Sequence, residues 1–135
     1  MLIRDHLARV ESFDRSLARL DPIDDTELYV VFLMRAATNR VNAALHALDL
    51  TEEGPVARTV RIGDMNHTYK PPMDFELPGE LHAAFRALKS IEDLRPEYVR
   101  GPQRLTPQLA ASCRQAYAEV VAATDAILKR EKAPS

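Results

Sequence analysis

The chain has 135 residues, 46% hydrophobic and 28% charged, which is material for one folded domain with a core of its own. Eighteen Lys and Arg against twenty Asp and Glu leave a net charge of −2, excluding a strongly basic nucleic-acid coat and an acidic disordered tail. The single cysteine, Cys113, excludes an intrachain disulfide and a multi-cysteine zinc site.

The first predicted element covers residues 2–20. Ile3, Leu7, Val10, Leu17 and Leu20 recur at steps that put them on one helix face, with Phe13 beside them, and Pro22 stops the run. The second covers residues 25–50. Asp24 and Glu27 have the spacing of a capping box, and residues 28–34 are apolar all round, which marks a central helix buried on most sides. Val41, Leu45 and Leu48 continue its apolar face.

Residues 51–77 show no helical period. Val56, Arg58, Val60 and Ile62 alternate, allowing a short extended stretch, and Pro71 and Pro72 forbid helix after it. The third element, residues 79–94, opens beyond Pro78, carries Leu81, Phe85, Leu88 and Ile91 on one stripe, and ends before Pro96. The fourth, residues 107–131, starts at a Thr106 cap with Pro107 in the first turn. Leu109, Cys113, Ala116, Tyr117, Val120, Thr124 and Ile127 make its buried face. The fold class expected is therefore all-α, a single-domain antiparallel four-helix bundle with a long irregular loop between its second and third helices. The wide apolar faces favour a homodimer. No run approaches the ~20 apolar residues of a membrane helix, and no apolar stretch follows a basic start, so the chain reads as cytoplasmic.

Two constellations carry chemistry. On the second helix Arg35, Asn39, Asn42 and His46 fall on one line, four nitrogen-bearing side chains that could line a pocket for an anion or a polar ligand. The bland alternative is a solvated helix face. In the loop, Arg61 and His67 stand six positions apart with Asp64 and Asn66 between them and Tyr69 two beyond. An imidazole moves protons near neutral pH, and a guanidinium forks onto phosphate oxygens. Such a pair suffices for metal-free phosphodiester cleavage, with Arg58 and Lys70 adding local positive charge. Asp64 and Asn66 are also ordinary turn formers.

Arg61, His67 and Tyr69 resemble the motif of the HEPN family, an Arg, four to six residues, and a His often continued as His-x-Tyr. The resemblance implies a dimeric helical bundle acting as a metal-independent endoribonuclease, with Arg61 and His67 catalytic and RNA the substrate. It also implies a toxin-type role with a nucleotidyltransferase antitoxin as partner and Tyr69 as the modified residue. The chain departs from that pattern: Ile62 replaces a polar residue, Gly63 disfavours helix, and the motif follows two helices rather than three. A second stretch, residues 94–101, has the family's position, with Arg95 as its Arg and Arg100 where the His belongs.

His6, His46, His67 and His82 have no partner at helical metal-ligand spacing, so neither metal nor cofactor is expected unless ligands converge in space. No nucleophile elbow or phosphate-cradling glycine loop is present in the sequence. The expected function is that of a non-catalytic binding bundle. Its polar site would be built from Arg35, Asn39, Asn42, His46, Asp64, Asn66 and Tyr69. The alternative is the HEPN-like ribonuclease or its inactive remnant.

Overall fold

A computed structural model describes residues 1–54, 63–66, 68 and 75–132. Its described residues are all-helical, with four long helices: α1 (Ile3–Leu17), α2 (Thr26–Ala47), α3 (His82–Glu92) and, after the one-turn α4 (Arg95–Tyr98), α5 (Pro107–Lys132). A 3-10 turn, Gly79–Leu81, leads into α3. No helix is long and apolar enough among the described residues to cross a membrane.

α2 is the hub. It packs on α1, α3, α4 and α5, and α3 packs on α5. Val30, Leu33, Val41 and Leu45 of α2 meet Leu88 and Ile91 of α3 and Val120 and Ile127 of α5 in one core, all nearly inaccessible to water. Each such aliphatic side chain contributes roughly 1.5–3 kcal/mol by leaving water. Cys113 lies in this core, as its place on the apolar stripe predicts. Arg40 fastens three helices from the other side. Its guanidinium donates to Asp14 of α1 at 3.1 Å and to Asp125 and the Tyr117 hydroxyl of α5 at 3.1 and 3.0 Å.

Several local expectations are corrected. The run 28–34 is not buried all round: Leu28 is 50% exposed, because only part of the α2 circumference has a neighbour at that level. The Asp24–Glu27 capping box does not form. Asp21 instead accepts the N–H groups of Ile23 and Asp24 in an Asx-type turn, and α2 begins at Thr26. Thr26 then serves a longer-range purpose, accepting the buried N–H of Leu105 at 3.0 Å just ahead of α5. The Thr106 cap does form, its hydroxyl accepting the Leu109 N–H.

α2 stops at Ala47 rather than continuing to residue 50. Asp49 takes a left-handed φ of 58°, Leu50 N–H bonds Leu45 C=O, and Asp49 N–H bonds His46 C=O. That is a Schellman motif with Asp where Gly is usual, tolerated because a short polar side chain suffers least in this conformation. The third helix ends before Pro96, as its sequence predicts, and Pro96 opens a further short turn. It sits in the first turn of α4, where its missing N–H costs nothing. The close return after α4 needs Gly101, whose added Cβ would lie 2.8 Å from the Glu97 carbonyl oxygen. The alternating stretch Val56, Arg58, Val60 and Ile62 lies outside the described residues, as do Pro71 and Pro72.

Candidate functional site

The polar line on α2 faces inward rather than into bulk water. Asn42 is 2% exposed and His46 6%, whereas Asn39 is half-buried and only Arg35 is exposed. Asn42 explains how the loop comes to the helix. Its Nδ2 donates to the Met65 carbonyl at 2.7 Å and its Oδ1 accepts the Met65 N–H at 2.7 Å. A side-chain amide thus pairs with a backbone residue as a second strand would, satisfying both polar groups where water is excluded. Met65 is itself buried, so its apolar side chain and these two hydrogen bonds hold it against α2. Further along, Glu92 of α3 accepts from the N–H and hydroxyl of Thr68.

Pinning Met65 delivers Asp64 to two imidazoles. His6 Nε2 lies 2.9 Å and His46 Nε2 2.8 Å from the same oxygen, Asp64 Oδ1. The other carboxylate oxygen, Oδ2, accepts from the Met1 amino group at 2.9 Å, and that amino group also bonds the Gly54 carbonyl. Both rings are oriented from behind. His6 Nδ1 lies 2.7 Å from Asn39 Oδ1, while Asn39 Nδ2 donates to the Arg35 carbonyl. His46 Nδ1 lies 2.6 Å from the Thr51 hydroxyl, which the Schellman turn folds beneath the ring. The ring centroids are 5.3 Å apart.

Burial alone would raise the Asp64 pKa. Hydrogen bonds from the Met1 amine, His46 and His6 outweigh it and hold the carboxyl below its ordinary value. Asn39 spends one N–H on the Arg35 carbonyl and turns its oxygen toward His6 Nδ1.

A cavity of about 290 Å³ opens in front of this cluster. His6, Asn39, Asn42 and Asp64 form part of its wall, and Asn66 and Arg35 join them. Arg9 from α1 and Arg95 from α4 complete a ring of three guanidinium groups. None of these three side chains makes a hydrogen bond or ion pair among the described residues. Among the described residues, Asp64 is the one carboxylate that lines the cavity.

The structure therefore brings together Arg35, Asn39, Asn42, His46, Asp64 and Asn66. Tyr69, and the Arg61 and His67 expected under the ribonuclease reading, lie outside the described residues. Of the second motif stretch, Arg95 reaches the cavity, while Arg100 is exposed and does not line it. Sequence reasoning missed Arg9, Thr51 and, above all, His6. A signal for His6 existed: it lies three residues after Ile3 and four before Val10, on the apolar stripe of α1, and is 2% exposed. Comparison with known proteins found no matching family model, no matching curated protein and no matching solved structure.

Proposed function

We propose that the chain is an antiparallel four-helix binding bundle whose cleft between α1, α2, α4 and residues 63–66 receives a small anion. The observation that carries this reading is the charge around the cavity. Arg9, Arg35 and Arg95 line it, and the single carboxylate that lines it among the described residues, Asp64, is already engaged by the Met1 amine, His6 and His46. Guanidinium groups offer planar, paired donors that match carboxylate and phosphate oxygens, so a phosphate or carboxylate group is the chemistry that fits. Asn39 and Asn66 supply further polar contacts from the walls.

The probes are inorganic phosphate and pyrophosphate, titrated into the full chain with NMR of the backbone and arginine side chains. Saturable shifts confined to the cavity lining, weakened by added salt, support the reading. The triple variant Arg9→Ala, Arg35→Ala, Arg95→Ala should lose them while keeping its helical circular dichroism. Equal shifts in that variant would overturn it. A labelled RNA incubated in EDTA should stay intact. Cleavage that disappears in His67→Ala would return the ribonuclease reading instead.

A further inference from the structure

We propose that His6, His46 and Asp64 bind one divalent first-row transition-metal ion at the inner end of the cleft. The three donors come from three places in the chain: α1, α2 and the pinned segment 63–66. His6 Nε2, His46 Nε2 and one carboxylate oxygen lie within 4.8 Å of one another. Metal–nitrogen and metal–oxygen bonds of about 2.0–2.2 Å place donor atoms roughly 2.9–4.4 Å apart. The two imidazole–carboxylate separations, 2.9 and 2.8 Å, are already at the near end of that range. A few tenths of an ångström of adjustment at a loop carboxylate admits the ion.

What separates this cluster from a chance grouping is the set of partners behind it. A ligating imidazole is held by a hydrogen bond at its far nitrogen, which fixes the tautomer and aims the lone pair. Asn39 does this for His6 and is itself fixed by the Arg35 carbonyl; Thr51 does it for His46. Both rings sit within the protein, His46 with a side chain 0% exposed and His6 with one 3% exposed, so neither can swing away to water.

Two imidazoles and a carboxylate suit zinc and its first-row neighbours rather than calcium or magnesium, which take oxygen donors. Three protein donors leave coordination positions open, as in catalytic rather than structural sites. His6 and Asp64 both line the arginine-ringed cavity, so the open side faces the place assigned to the anion. The further role of that anion as the remaining metal ligand rests on the binding function proposed above; the metal site itself does not.

Tag-free protein is stripped with EDTA, desalted into phosphate-free buffer, and titrated with Zn²⁺ by calorimetry and with Co²⁺ by visible absorption. One equivalent of ion should bind, and Co²⁺ should develop the d–d bands of an imidazole-ligated centre. Asn39→Ala should weaken Zn²⁺ binding by roughly 10–100-fold, with Asn39→Asp recovering part of it, because a carboxylate accepts from His6 Nδ1 but cannot donate to the Arg35 carbonyl. His6→Gln and Asp64→Asn should weaken binding by more than Asn39→Ala does. Should His6→Gln lose its helical signal, Asp64→Asn decides, since that carboxyl lies on an accessible segment. A wild-type protein that takes up no stoichiometric ion, or an Asp64→Asn variant that binds as tightly as wild type, would reduce the cluster to an imidazolium–carboxylate pair. Adding phosphate afterwards separates the two claims. Zn²⁺ bound without any phosphate effect defeats the anion reading alone, and phosphate bound at full strength without Zn²⁺ uptake defeats the metal reading alone.

Discussion

Asn42→Ala is the sharpest test of how the loop and the central helix make one site. The substitution removes two hydrogen bonds of 2.7 Å at a position 2% exposed. If residues 63–66 stay in place, the Met65 N–H and C=O are stranded without partners, at about 1–3 kcal/mol each. If the segment detaches, those groups recover water, but the burial of Met65, about 1.5–3 kcal/mol, is lost with the two bonds, each about 1 kcal/mol net. The first route costs about 2–6 kcal/mol and the second about 3.5–5 kcal/mol, to which the broken Asp64 contacts add. Urea unfolding followed by circular dichroism measures the loss, and the ring shifts of His6 and His46 tell the routes apart, since only detachment carries Asp64 away from both imidazoles. A loss below about 1 kcal/mol with both ring shifts unchanged would refute the claim that Asn42 holds the segment.

Two further outcomes are expected. Arg40→Ala should destabilise the fold by about 1–3 kcal/mol, below the cost of breaking a fully buried pair because Asp14 and Asp125 remain partly exposed to screening solvent; denaturant midpoints check it, and a change within about 0.5 kcal/mol would show that the three-helix fastening is ornamental. The pH dependence follows Asp64. Because its folded-state carboxyl is held below the ordinary value, its contribution is fully present above about pH 3.9 and is lost as pH falls through the lowered folded value. Carboxyl carbon NMR of the metal-free protein should therefore place the Asp64 titration below that of its exposed counterparts, and the difference should narrow in a variant lacking both His6 and His46, where the Met1 amine still favours the carboxylate.

Much of the frame was legible along the chain because helix-forming information is local. The apolar stripes of α3 and α5, the Thr106 cap and the placement of Cys113 in the core all follow from steps of three and four residues and from short-range hydrogen bonding. Errors gathered at the ends. Asp21 rather than Asp24 shaped the turn before α2, and Asp49 closed that helix early, since several polar residues in a row compete for the same backbone donors.

The site was legible only in part. Periodicity grouped Arg35, Asn39, Asn42 and His46, because one helix fixes their relative angles. It could not say whether that line faced water, a ligand or another element of the protein. His6 on α1 and Arg95 on α4 are 89 positions apart and no local rule relates them; the packing of α2 against both helices lets them line one cavity.

The sequence by itself determined that the described residues are all-helical and which faces of α3 and α5 are buried, since the backbone's own period converts residue order into a surface. Tertiary structure alone decided that two imidazoles and one carboxylate share a point. Their meeting depends on the α1–α2 contact and on a side-chain amide capturing a distant peptide group, and neither is encoded in spacing.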